Sequence, residues 1–340
     1  MGKKAIVACL CLCCSRAFGD LLSLPTENCA VSDPLRYLQT AGTEKGNGGF
    51  GLARECGKKF HGGIDVRPVR RRPDGEPLDA VRAVADGVVV YANGDAGASS
   101  YGKYVVVEHE NFSLPILSLY AHLASLSAVA TVGRRLEVDD VLGSVGRTSS
   151  AFEIGKERAH LHFELALRLG DDGDFSRWYG NKKFSSPNGH GCWNGLNFVS
   201  FDPLPPLRMG CEFSVAEYVR NLPTAFVTRI FTEYFPNFLR RYGALLDGWD
   251  GGPIGGFDVE WTWFGLPKRW VALQGTVERR RRGNVEVFLM QNDWLWLPHS
   301  CIRETLARGR GNSVHIGKRT VDVLEKIFGA AVKILDSTAD

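Results

Sequence analysis

The chain has no long apolar run. Its first apolar stretch, Ala5 to Cys14, is too short to span a bilayer as a finished helix, so nothing argues for an integral membrane span in the mature chain. A strong charge bias is also missing. A formal charge of +3 and a pI of about 8.3 argue little for nucleic acid as a partner, and are compatible with an anionic polymer such as a cell wall. Past residue 19 the cysteines lack the close Cys-x-x-Cys spacing of a structural zinc site. Long helical patterns are scarce between residues 61 and 207. What is present is apolar substance: 44% of the 340 residues are hydrophobic, enough to bury a sizeable core, and the length suggests two domains.

The first 19 residues read as an export signal. Lys3 and Lys4 supply the positive start, Ala5 to Cys14 the apolar segment, and Ala17 and Gly19 the small residues before a cut ahead of Asp20. Cleavage after Ala17 is the alternative. Ile6-Val7-Ala8 before Cys9 is a passable lipobox, but almost no apolar segment precedes it, so a lipid anchor ranks second. The expected location is exported, periplasmic or extracellular. Removing the signal leaves Cys29, Cys56, Cys192, Cys211 and Cys301, an odd number. One or two disulfides are compatible with that location, and their pairing is not readable from sequence.

Residues 20–60, rich in Gly, Pro and small polar residues, read as an irregular arm leading to the edge of a groove, which it is positioned to cover. Residues 61–207 read as mostly antiparallel β, with β-branched and aromatic strands at Val81–Tyr91, Tyr104–Glu108, Leu117–His122 and Ala159–Leu169. Asp171 to Gly195 reads as a polar, Gly- and Asn-rich surface loop, with a segment bordering a substrate groove as the alternative. Asp202-Pro203-Leu204-Pro205-Pro206 reads as a linker, after which residues 208–340 form a smaller α+β module. There Ser214 to Glu217 matches a capping box, and Thr224 to Leu246 shows helical spacing broken at Pro236. Phe257–Gln274 and Val285–Leu297 read as strands rich in tryptophan, more suited to a small core than to stacking on sugars. Arg279–Arg282 reads as a solvated hairpin tip. Val321, Leu324, Ile327, Phe328, Ala331 and Ile334 share one apolar helix face.

The chemistry gathers on three pieces: His61-Gly62-Gly63-Ile64-Asp65, Tyr120-Ala121-His122-Leu123 and Ala159-His160-Leu161-His162-Phe163-Glu164. Residues i and i+2 of a strand share a face, so His160 and His162 aim two imidazoles at one point while Leu161 and Phe163 turn to a core. One His-x-His alone is equally an ordinary pair of strand histidines; the three pieces together carry the argument. His61, Asp65 and His162 supply two imidazoles and a carboxylate and leave a fourth position for water, the pattern of catalytic rather than structural zinc. Zinc lowers the pKa of water toward ~7 and polarises a carbonyl. His122 and His160 are then free to take a proton from the attacking water and to hold the developing oxyanion. His109, His190, His299 and His315 are not assigned to the metal.

HGGID, YAHL and HLHFE, in that order, resemble the three motifs of the lysostaphin-type (LytM-like) zinc metallopeptidases, which cut peptides in bacterial peptidoglycan. The likeness extends through Ala83–Val89 and Tyr101–Val106. The resemblance implies a duplicated-hybrid-motif β fold, one zinc ion held by His61, Asp65 and His162, and His122 and His160 as the catalytic pair. It also implies peptidoglycan peptides as the partner. One departure is the segment Arg147 to Ala159, longer and more charged than the short turn usual in the family. The C-terminal module has no counterpart there. The runner-up function is a non-catalytic wall-binding or amidase-activating protein on the same fold, whose mark would be a missing ligand or histidine. A cytosolic phosphocarrier is the remote third.

Overall fold

The computed structural model describes residues 20–30, 33–38, 46–55, 59–184, 187–209, 213–276, 284–292, 307–310, 313–329 and 333–336. The expected export signal, Cys56, Cys211, His299, Cys301 and Arg279–Arg282 lie outside the described residues. Among those described, no helix is long and apolar enough to cross a membrane.

A short hairpin of β1 (Gly51–Arg54) and β2 (Lys59–His61) leads in. Ten strands follow: β3 (Ile64–Val66), β4 (Ala80–Arg82), β5 (Gly87–Asn93), β6 (Lys103–His109), β7 (Ile116–Leu123), β8 (Ser125–Leu126), β9 (Arg135–Leu136), β10 (Val141–Ser144), β11 (Leu161–Arg168) and β12 (Phe198–Phe201). They build an antiparallel seven-stranded sheet in the order β12-β11-β7-β6-β5-β9, with β3 also on β11, and a three-stranded sheet β4-β10-β8. The mostly-β expectation holds. Every residue of β7 is buried, and all of β11 but its last. Such central strands are covered on both faces, which suits the nearly unbroken apolar run of β7. Gly63 is needed at the start of β3, because a Cβ there would sit 2.3 Å from the Phe163 carbonyl oxygen.

Beyond β11 the chain continues through α1 (Asp172–Asn181), α2 (Leu204–Arg208), α3 (Val215–Asn221), β13 (Phe226–Phe231), α4 (Asn237–Arg241), β14 (Leu246–Asp247), β15 (Ile254–Trp261), β16 (Pro267–Gln274), β17 (Asn284–Asn292), β18 (Ala307–Arg310), β19 (Ser313–Ile316), α5 (Lys318–Phe328) and β20 (Lys333–Asp336). Six of these strands form a sheet in the order β14-β16-β15-β13-β17-β20. Buried side chains on both sides of the Pro203–Pro206 segment, from Ile64 to Phe328, join in one apolar cluster. Trp261 and Trp270 are fully buried within it, so these two tryptophans serve as core.

Several expectations are corrected. The N-terminal arm is not wholly irregular: it carries β1 and the first residues of β2, and Asp20 anchors it through Ser113 and the Val215 amide. The stretch from Asp171 contains α1 instead of a surface loop. Asp171 caps that helix at the Asp174 amide, and Phe175 and Trp178, three residues apart, bury one face with Cys192. The segment read as helical from Thr224 holds the strand β13, whose residues alternate buried and half-buried, a period of two. The Pro-rich linker contains the short helix α2. The apolar C-terminal helix stops at Gly329, at positive φ, and Ile334 belongs to β20. Cys29 and Cys192 are both free and buried.

Candidate metal centre and its surroundings

Strand pairing builds the centre. β3 and the first half of β11 are antiparallel neighbours, with His162 directly opposite Asp65. Paired residues in an antiparallel ladder point to the same face, so the carboxylate and the imidazole meet. His61, at the end of β2, swings in from across the Gly62-Gly63 turn. His61 Nε2 and His162 Nδ1 lie 3.0 Å apart, His61 Nε2 and Asp65 Oδ1 3.0 Å, and His162 Nδ1 and Asp65 Oδ1 2.9 Å. All three residues are buried, and their donor atoms form a cluster suited to one metal ion.

Each imidazole is oriented from behind. His61 Nδ1 is 2.8 Å from the Gly49 carbonyl oxygen, so in the neutral ring it donates there and leaves the Nε2 lone pair facing the cluster. His162 Nε2 donates to Glu164 Oε1 at 2.8 Å, which leaves Nδ1 for the cluster. Glu164 is itself held by the Tyr101 hydroxyl at 2.8 Å and the Ser200 hydroxyl at 2.5 Å. A carboxylate that fixes the tautomer of a ligating histidine is a recurrent support of metal sites. Two imidazole nitrogens, each with the other ring nitrogen tied off, and a carboxylate oxygen fit zinc by donor type and orientation.

His122 and His160 flank the cluster. His160 Nδ1 donates to the Arg158 carbonyl at 2.6 Å and His122 Nδ1 to the Thr148 carbonyl at 2.8 Å. Their ring centroids are 4.9 Å apart, and His122 lies 5.9 Å from the His162 ring. His122 reaches this face by an irregularity. Val105 pairs with Tyr120 and Lys103 with Leu123, so β7 carries one residue more than β6 between those pairs, and His122 sits at φ 60°. A β-bulge re-aims a side chain that strict alternation would send to the other face. A non-glycine residue in the left-handed region is an uncommon, strained feature that gathers at functional sites.

Electrostatics follows from this crowding. Burial alone would raise the Asp65 carboxyl, but His160, His61 and His162 around it hold it well below the ordinary carboxylate range. Burial lowers His122 to about 3, helped by His160 and His162, and burial also lowers His160. Burial opposes charge on His162 too, yet Asp65 and Glu164 on its two nitrogens raise it above the ordinary value. The pair His122 and His160 is thus neutral near pH 7, with both Nε2 atoms available to accept a proton.

All five residues expected from the sequence therefore come together. Three others were not anticipated. Glu164 stands two residues beyond His162 on the same face of β11, and that i+2 spacing was the available signal. Tyr101 supports Glu164 from the loop before β6. Arg54, from β1, pairs with the Asp65 carboxylate and lies 3.0 Å from His61 Nε2; nothing in its local sequence marks it. The remaining described histidines stand elsewhere: His109 bridges the Asp86 carbonyl and Ser118, and His190 bridges Tyr91 and the Ala98 carbonyl. The charged segment Arg147–Ala159 spends much of its charge on a neighbouring loop, through Arg147–Glu76 at 3.1 Å and Lys156–Glu76 at 3.6 Å.

The model of peptidase family M23 matches residues 59–173, which contain all five residues of the centre. That matched stretch, about a third of the chain, is the M23 region. Over 109 residues the chain is 35% identical to the DD-carboxypeptidase/endopeptidase Mpg of Neisseria meningitidis and, to the same degree, to that of Neisseria gonorrhoeae. The matched stretch is 32% of this chain and 20% of those proteins, so the chain spans about a fifth of the length of those relatives. Among solved structures, the catalytic domain of lysostaphin from Staphylococcus simulans is similar at 20% identity and TM-score 0.28, covering 48% of this chain and 88% of that one. A putative glycyl-glycine endopeptidase lytM from Ruminococcus gnavus is similar at 21% identity and TM-score 0.29, covering 46% and 49%.

Proposed function

We propose that the chain is an exported zinc-dependent endopeptidase that hydrolyses peptide bonds in bacterial cell-wall peptidoglycan, in cross-links or stem peptides. In this reading residues 61–207 are the catalytic unit, preceded by a signal over residues 1–19 and the arm 20–60, and residues 208–340 are an α+β module. The observation that carries it is the convergence of His61 Nε2, Asp65 Oδ1 and His162 Nδ1 to about 3 Å of one another, with two neutral histidines at the rim.

His61, Asp65 and His162 would hold the zinc ion. When bound, the ion supplies Lewis-acid polarisation of the scissile carbonyl and makes water a usable nucleophile at neutral pH. The chain's own groups do the rest. Nε2 of His122 or His160 accepts the proton of the attacking water, and the other ring hydrogen-bonds the oxygen on which negative charge develops. The backbone carbonyls of Thr148 and Arg158 keep both rings in the tautomer this work requires. Glu164 keeps His162 aimed. The complete set of five residues counts against a non-catalytic wall-binding role, which would tolerate their loss.

The test is digestion of purified muropeptides by zinc-loaded protein, with mass analysis of the products. Cleavage that stops with a chelator, returns with zinc and is absent in His122→Ala supports the proposal. Intact muropeptides with fully zinc-loaded, folded protein would overturn it.

A further inference from the structure

Beside the candidate metal centre lies a cavity of about 270 Å³, whose walls include Phe60, Tyr101, His162, Glu164, Ser200 and Arg319. Five of these come from the M23 region or its adjoining strand β12. Arg319 does not: it comes from the first turn of α5, in the C-terminal module. The polar groups can be accounted for one by one. Glu164 accepts from His162, Tyr101 and Ser200, and the two hydroxyls spend their protons on it. Arg319 is the exception. Its guanidinium lies 4.9 Å from the Phe60 ring centroid, and among the described residues no carboxylate pairs with it. Burial lowers its pKa from the ordinary guanidinium value.

Arg319 is half-buried, so its guanidinium stays reachable from the cavity, and it keeps a planar fork of donors that matches a carboxylate in bidentate fashion. The Phe60 face satisfies its charge only in part. The cavity also touches His162 and the Glu164 that orients it, so it borders the candidate centre on the Glu164 side of His162.

We propose that Arg319 makes this cavity a carboxylate-binding subsite beside the centre, through which the C-terminal module selects wall peptides bearing a free carboxylate. This deepens the peptidase reading and rests on it. The carboxylate has two possible sources, the peptide's terminal carboxyl and an acidic side chain, and amidating one at a time separates them.

The experiment uses the full zinc-loaded chain and one muropeptide in three forms: free acid, amidated at the chain end, and amidated at the side chain. Binding is read by calorimetry with His122→Ala protein, so that turnover does not intrude, and KM and kcat are read with the native residue in place. One amide should bind about tenfold to a hundredfold more weakly than the free acid, the span expected for a charge-assisted pair. Arg319→Gln should erase the difference by raising KM for the acid with kcat little changed, and Arg319→Lys should restore part of it. Thermal unfolding of each variant checks folding, and the comparison of acid with amides in wild type needs no variant at all. Equal binding of all three forms, or discrimination that survives Arg319→Gln, overturns the subsite while leaving the peptidase reading intact. If no form binds or is cut, both fall.

Discussion

Replacing Glu164 by Gln isolates the contribution of a single negative charge behind the candidate metal centre. The side chain keeps its shape. Its carbonyl oxygen still accepts from His162 Nε2, and its amide turns toward Ser200, whose hydroxyl oxygen accepts as readily as its proton donates. What disappears is the anion that makes His162 a stronger base and holds Nδ1 toward His61 and Asp65. Loss of such a supporting carboxylate typically costs about 10- to 100-fold in metal affinity or activity. We expect zinc dissociation to weaken by that factor, measured by competition against a chelating dye, with kcat on muropeptides falling in parallel at subsaturating zinc. Tyr101→Phe removes only one neutral donor to the same carboxylate and should cost less. Thermal unfolding of both variants must stay close to wild type, since Glu164 is buried and its replacement could act through stability. If Glu164→Gln binds zinc as tightly as wild type, the view that Glu164 orients a metal ligand is wrong, and its hydrogen bonds are structural only.

Other outcomes follow from the same geometry. His122→Ala should lower kcat by about two to four orders of magnitude while zinc affinity stays within a few-fold, because its ring is placed to move a proton and not to ligate; a matching loss of zinc would refute that division. Arg54→Ala should tighten zinc binding by about tenfold, since its guanidinium uses the Asp65 carboxylate and approaches the His61 nitrogen that a cation would need; unchanged or weaker binding would show that Arg54 does not compete. Far from the centre, burial holds His109 down to about 4. Above pH 6.5 both folded and unfolded chains carry it neutral, and between 6.5 and 4 only the unfolded chain takes up the proton, so stability is lost as pH falls through that window. His109→Gln should therefore destabilise by about 2 kcal/mol less at pH 4.5 than at pH 7, read from urea midpoints, and an equal cost at both pH values would contradict it.

The proposed ligand set was legible because it rests on short-range rules. Asp65 lies four residues from His61 across a Gly-Gly turn, and His160 and His162 share a strand face by alternation. The register that sets His162 against Asp65 only had to bring those local patterns together. His122 is instructive in the other direction. Its place in the centre depends on an extra residue in β7, which no periodicity reveals, and its motif identified it where its spacing alone did not. Glu164 could have been read from the same alternation as the histidines, but a lone acid on a strand has many uses until its partners Tyr101 and Ser200, 63 and 36 residues away in sequence, are seen. The helix α1 was hidden by its composition: glycine, serine and asparagine mask two aromatics whose three-residue spacing is enough to fold it once a wall of Cys192 stands opposite.

Arg54 and Arg319 mark the limit of such reading. One enters from a hairpin before the first ligand, the other from a helix more than 150 residues after the last, and in sequence each is one basic residue among 41. A long-range contact leaves no periodic trace, because the partner's position is set by the packing of whole elements. Both arginines face the same small region, Arg54 on the Asp65 and His61 side and Arg319 on the His162 side. The proposed catalytic unit contains neither. On this view the M23 region supplies the ligands and the proton-transfer pair, and the flanking segments supply the positive charge around them, one arginine set against a metal ion and the other toward an anionic substrate. A truncated M23 region, if it folds, should then bind zinc more readily than the full chain and distinguish free acid from amide less well. Those two shifts are separable, because each single substitution should reproduce one of them without the other.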